Sequence, residues 1–197
     1  RAIADRNTGL GCDQVIGIER SAEGDAFMRI WNADGGRIDA CGNATRCVAW
    51  LLMEEGGAVS RRIETPAGML YAERAGERLI AVDMGVPLLR WDEIPLARAM
   101  ATDRMDYAVN GFEAPGAVNM GNPHVVFFVD DAGVVPIETL GLRIEHDALF
   151  PQRVNVEFAE VRSPRRIRMR VWERGAGVTK ACGTGACATV VAAHRQG

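Results

Sequence analysis

Apolar and polar positions alternate along several short stretches of the chain and switch to helical spacing in others. Partial alternation and β-branched content predict strands at Gln14-Val15-Ile16-Gly17-Ile18 and Phe27-Met28-Arg29-Ile30-Trp31, separated by a turn at Arg20-Ser21-Ala22-Glu23-Gly24-Asp25. A helix is predicted over about 43–55, stopping at Gly56-Gly57, with Ala44, Cys47, Val48 and Leu51 on one face. Arg62-Ile63-Glu64-Thr65 and Leu70-Tyr71-Ala72-Glu73 read as a hairpin around Pro66-Ala67-Gly68, followed by a strand from Leu79 to Met84. The turn residues Gly85-Val86-Pro87 mark a boundary, giving lobes 1–86 and 87–197.

The second lobe predicts strands at Ala117–Met120 and Val125–Val129 around Gly121-Asn122-Pro123, then a short helix at 137–141. Further strands are predicted from Asn155 to Val161 and from Ile167 to Trp172. A last helix, about 184–195, is apolar nearly all round, a pattern that predicts burial on every side.

Within this pattern one unit occurs twice. Met28-Arg29-Ile30-Trp31, Gly36 and Ala40-Cys41-Gly42 recur without a gap as Met169-Arg170-Val171-Trp172, Gly177 and Ala181-Cys182-Gly183, with seven identities and one Ile/Val exchange. Each copy reads as strand, small polar turn, helix, with Asn43 and Thr184 as candidate N-caps. One cysteine therefore stands at each helix N-terminus. The positive end of the macrodipole favours thiolate there, and unpaired N–H groups offer a seat for a carboxylate or a developing oxyanion. Two such thiols on opposite sides of one carbon are what stereoinversion requires, since one removes a proton while the other delivers one. On this reading Cys41 and Cys182 are close in space, and oxidation joining them inactivates the protein.

The segments Asn32-Ala33-Asp34-Gly35, Ala40-Cys41-Gly42-Asn43, Gly121-Asn122-Pro123-His124, Arg153-Val154-Asn155-Val156 and Glu173-Arg174-Gly175-Ala176-Gly177, with Ala181-Cys182-Gly183-Thr184-Gly185-Ala186, closely resemble the diaminopimelate epimerase family in order and spacing. The resemblance covers essentially all of the chain. It implies an α+β fold of two pseudo-symmetric lobes, each a curved mixed or antiparallel sheet wrapped around a central helix. It also implies a cofactor-independent isomerase, without pyridoxal phosphate, that interconverts LL- and meso-diaminopimelate on the route to lysine and peptidoglycan. By that likeness Cys41 and Cys182 are the catalytic pair, and His124 and Glu173 assist them. Gln14, Asn32, Asn122, Asn155, Glu173 and Arg174, with the backbone amides of Gly42, Asn43, Gly183 and Thr184, hold the substrate, and the chain works as a homodimer. Against the family pattern, the chain is expected to lack the first strand and the last several strands. Two other readings stay open: a proline racemase or hydroxyproline epimerase with the same two-thiol logic, and a non-catalytic remnant that only binds substrate or a partner.

Composition narrows the classes further. At 197 residues and 48% hydrophobic content the chain can bury one sizeable core or two modest ones. A net charge of −3 with both signs interspersed gives no basic stripe for nucleic acid. Apolar runs such as Val125–Val129 are too short to cross a bilayer, and the cytoplasm is the default compartment. Five cysteines, an odd number, fit a reducing compartment. Cys12, Cys47 and Cys187 read as small buried hydrophobes. Cys41-x5-Cys47 and Cys182-x4-Cys187 lack paired short spacings and a matching histidine set, so no metal is expected. Gly183-Thr184-Gly185 comes without a Walker lysine or a dinucleotide fingerprint. His146 and His194 read as surface or helix-end residues.

Overall fold

A computed structural model describes residues 1–197, and the chain divides into two compact units, Arg1–Gly85 and Val86–Gly197. The first unit contains strands β1 (Gln14–Glu19), β2 (Ala26–Asn32), β3 (Arg37–Ile38), β4 (Ser60–Thr65), β5 (Gly68–Gly76) and β6 (Leu79–Asp83), with helix α1 (Gly42–Gly56). Its sheet runs β1-β2-β4-β5-β6, with β3 paired to β2; the β2–β4 pair is parallel and the others antiparallel. Strand β2 buries every second residue, and Met28 and Ile30 from it join Val48, Ala49 and Met53 of α1, Ile63, Ala72 and Ile80 in one core. Helix α1 ends where Gly57 turns left-handed at φ 68° and its N–H closes on the Met53 carbonyl, a geometry that a Cβ would strain.

The second unit contains β7 (Ala108–Val109), β8 (Phe112–Glu113), β9 (Gly116–Asn119), β10 (Pro123–Phe128), β11 (Asn155–Ser163), β12 (Arg166–Glu173) and β13 (Gly177–Thr179), with helices α2 (Ile137–Glu145) and α3 (Gly183–Gln196). The main sheet runs β13-β12-β11-β10-β9, parallel only between β10 and β11, and β7 pairs with β8 in a separate ribbon. Period-two alternation gives this sheet two faces. Val125, Phe127, Val156, Phe158 and Trp172 pack with Ile137, Leu140 and Ile144 of α2. Helix α3 meets the other face, where Glu157 reaches Gly185 and the Thr189 hydroxyl lies 3.1 Å from the Met169 sulfur.

The α+β class holds, and the repeat is structural down to the register. Ile30 pairs with Ile38 and Trp31 with Arg37; at the interval separating Cys41 from Cys182, Val171 pairs with Thr179 and Trp172 with Val178. On the opposite edge of each strand, Val15 faces Trp31 as Val156 faces Trp172.

Four sequence expectations need correction. Asn43 and Thr184 are not the caps: Cys41 and Cys182 themselves occupy the N-cap positions, both with extended backbone. The buried face of α1 is Ala44, Thr45, Val48, Ala49 and Met53, because the sheet touches that side; Cys47 and Leu51 face outward. Cys47 is thus no core residue, and Cys47→Ala removes little packing. Helix α3 is not enclosed, because the sheet covers one side only: Ala188 and Ala192 are buried while Val190 is 61% exposed. The expected helix at 137–141 extends to Glu145, with Glu138 in its first turn and Arg143 in its last, signs that suit the dipole. No helix is long and apolar enough to cross a membrane.

Candidate active site

In the first unit the strand pair β1–β2 ends with Gln14 opposite Asn32, and the Gln14 amide donates to Asn32 Oδ1 at 3.1 Å. The turn after β2 closes with Asn32 N–H on the Gly36 carbonyl and Gly36 N–H on Asp34 Oδ1, and Gly35 takes φ 85°. This brings the chain back through β3 to Cys41, which starts α1. One turn in, Thr45 closes back on it, its N–H and hydroxyl both donating to the Cys41 carbonyl at 2.9 Å. Gly42 and Asn43 form the first helical residues.

In the second unit the same plan delivers Cys182 at the N-cap of α3, with Gly183 and Thr184 behind it. Cys182 Sγ accepts from Gly185 N–H and contacts Thr184 Oγ1, each at 3.4 Å. Glu173, at the end of β12, accepts from the Thr179 hydroxyl and hydrogen-bonds Cys182. His124 lies on β10 with no exposure; its Nδ1 is 2.6 Å from Glu157 Oε1 and its Nε2 2.9 Å from Asn122 Oδ1. Asn155 is 3% exposed and committed to backbone, donating to the Pro123 carbonyl and accepting from Arg174 N–H. It therefore shapes the 173–175 turn. The second unit thus gathers Asn122, His124, Asn155, Glu173, Arg174 and Cys182, whereas Gln14, Asn32 and Cys41 belong to the first.

The electrostatics overturn one expectation. A thiol at a helix N-terminus was expected to ionise easily, yet burial pushes Cys182 up to about 12, and the carboxylates of Glu173 and Glu157 push the same way against Thr184 and the Gly185 N–H. Burial likewise raises Glu173, more than its bonds to Thr179 and Cys182 lower it. Cys182 is therefore a protonated thiol at neutral pH, equipped to donate. Because the folded chain keeps a proton that an unfolded thiol releases near pH 9, the stability tied to Cys182 is fully present below about pH 9 and is lost as pH climbs toward 12. Urea unfolding at about pH 8 and about pH 10 is expected to show a steeper loss for the parent than for Cys182→Ser.

A sequence model described as diaminopimelate epimerase matches residues 1–89 and 116–197. The chain belongs to the diaminopimelate epimerase family. Among its curated relatives, the diaminopimelate epimerase of Phenylobacterium zucineum (strain HLK1) is 58% identical over 100% of this chain and 73% of its own length. That of Acidiphilium cryptum (strain JF-5) is 56% identical over 99% of this chain and 70% of its own length. Two solved structures share the fold. A hydroxyproline epimerase from Agrobacterium vitis superposes with TM-score 0.67 at 14% identity, covering 100% of this chain and 64% of its own. A probable proline racemase from Agrobacterium radiobacter K84 superposes with TM-score 0.66 at 18% identity, covering 100% of this chain and 65% of its own. The chain thus spans less than two thirds of those two structures.

Two buried carboxylates of this family member escaped the sequence reading. Glu157 is fully buried beside His124, and Glu145, 2% exposed, accepts from Trp172 Nε1 at 2.6 Å and Gly175 N–H at 3.0 Å. The only trace of Glu157 in the sequence is Val156-Glu157-Phe158, an acid flanked by two apolar residues. Glu145 carried none, since an acid near a helix end looks solvated until Trp172 is brought over it.

Proposed function

We propose that this chain epimerises LL-diaminopimelate to meso-diaminopimelate, with Cys41 and Cys182 acting on opposite faces of one α-carbon. The observation that carries this reading is the paired placement of a cysteine at the N-cap of matched helices in both structural repeats. In the direction that uses Cys41 as base, its thiolate takes the α-proton, breaking C–H and forming S–H. The Cys182 thiol gives its proton to the other face, breaking S–H and forming C–H. The turnover leaves the proton on Cys41 and the charge on Cys182, and exchange with solvent restores the starting state. The reverse isomer swaps the roles. First-turn N–H groups at α1 and α3 have no intrahelical acceptors and favour negative charge, so they suit the α-carboxylate and the charge developing beside it.

Gln14, Asn32, Asn122, Glu173 and Arg174 are assigned to the substrate, whose far amino-acid end must be held while the near one reacts. Asn155 is assigned to the same end through its hold on Arg174. The expected form is a homodimer in the cytoplasm, a compartment that keeps the two thiols reduced. The test is deuterium incorporation at the α-carbon of LL-diaminopimelate in D2O, followed by NMR with the reduced protein. Incorporation is expected for diaminopimelate and not for proline or hydroxyproline. A folded, reduced chain that exchanges only the imino acids would transfer the reading to a racemase-like enzyme, and one that exchanges nothing would make it a binding remnant.

A further inference from the structure

The β10–β11 pair buries two ionisable groups completely, His124 and Glu157. Both imidazole nitrogens face oxygen atoms, Nδ1 toward Glu157 Oε1 at 2.6 Å and Nε2 toward Asn122 Oδ1 at 2.9 Å. An amide oxygen only accepts, so Nε2 carries hydrogen. Nδ1 and the carboxylate then share a second proton, and the surroundings decide where it resides. A Cβ built on Gly185 would lie 2.7 Å from Glu157 Oε1, so this oxygen abuts the first turn of α3. The positive end of that helix favours an ionised carboxylate, and a buried carboxylate persists only when paired. Glu157 Oε2 is buried as well and accepts no hydrogen bond, so the pairing rests on Oε1 alone.

We propose that Glu157 is a positioning residue for the Cys182 half of the site: its ionised carboxylate, set between the His124 ring and the N-terminus of α3, holds that imidazole in place and doubly protonated. The assignment rests on the two-thiol reading of the site. The charged groups that bear on Cys182 come from two strands, Glu157 on β11 and Glu173 on β12, with His124 on β10 acting on Glu173, while α3 itself contributes the Thr184 hydroxyl and the Gly185 N–H. Glu157 acts on both neighbours at once, since its charge opposes ionisation of Cys182 and of Glu173. Gly185 fits the same account, because a side chain there would displace the carboxylate.

The experiment is long-range 1H–15N NMR of the three imidazoles at about pH 7, with His146→Gln and His194→Gln used for assignment. In the parent chain both nitrogens of His124 are expected to be protonated. In Glu157→Gln, which keeps the shape but not the charge, one is expected to lose its proton while His146 and His194 are unchanged. The same variant is expected to lower kcat for α-deuterium exchange about a hundredfold, with KM changed by less than about twofold. An unprotonated Nδ1 in the parent would overturn the proposal, and that measurement needs no variant to fold. A Glu157→Gln protein with the parent's His124 signals and kcat would overturn it too. Should the parent fail to exchange diaminopimelate, the epimerase reading falls, while the nitrogen signals still decide what Glu157 does.

Discussion

Cys182→Ser is expected to fold as stably as the parent and to lose at least about a hundredfold in α-proton exchange. The two halves of that expectation have separate causes. Cys182 caps α3, with its sulfur accepting the Gly185 N–H at 3.4 Å. Serine is among the preferred N-cap residues, and its smaller oxygen accepts N–H more strongly than sulfur does, so the helix start is kept. The chemistry is not kept. A hydroxyl is a far weaker acid than a thiol, and here it stands among carboxylates that already oppose ionisation. Cys41→Ser is expected to behave the same way, because Cys41 occupies the N-cap position of α1 with the same extended backbone, a position serine favours. Circular dichroism and urea unfolding read the first half, and deuterium incorporation the second. A Cys182→Ser protein that exchanges substrate at the parent's rate would remove this thiol from the mechanism.

Gly141→Val is expected to be the most damaging single change outside the site. Gly141 sits buried in the middle of α2, and a Cβ there would lie 2.4 Å from Trp172 Cγ and 2.5 Å from Trp172 Cβ, far inside contact distance. The indole cannot swing away freely, because its Nε1 donates to buried Glu145 at 2.6 Å. Either α2 lifts from the sheet or Trp172 moves and carries the adjoining Glu173-Arg174-Gly175 turn with it. Overpacking of this kind costs on the order of 3 kcal/mol, and valine adds the helix penalty of a β-branched side chain. Urea unfolding should show that loss together with reduced turnover. An unchanged midpoint would mean that α2 does not press on the sheet through Gly141.

The sequence exposed these features unevenly, for physical reasons. The repeat was legible because both copies face the same local demands: a strand that alternates burial, a turn and a capped helix. That is why β2 and β12, α1 and α3 and both cysteine positions were found, while β3 and β13, of two and three residues, were too short to leave a periodic trace. Cys47 was misplaced because helical spacing is compatible with several faces, and only the sheet selects among them. The ionisation of Cys182 was misjudged for a related reason. The dipole of α3 is a local property, but the thiol is raised first by its burial and then by Glu173 and Glu157, which reach it from strands β12 and β11.

The turns that lead to the two cysteines are tied down with unequal strength. After β12, Arg174 N–H and Gly175 N–H donate to Asn155 and Glu145, both nearly fully buried. After β2, Ala33 N–H donates to the carbonyl of exposed Asp13, and Gly36 N–H to the carboxylate of exposed Asp34. Breaking the second set costs little, because water takes over each partner; breaking the first strands buried acceptors. Local opening therefore begins on the approach to Cys41, and amide hydrogens there exchange with solvent long before those at Arg174 and Gly175. The two copies of the unit are thus expected to differ in stiffness, the second presenting its thiol from a turn tied to buried acceptors and the first from a turn tied to exposed ones.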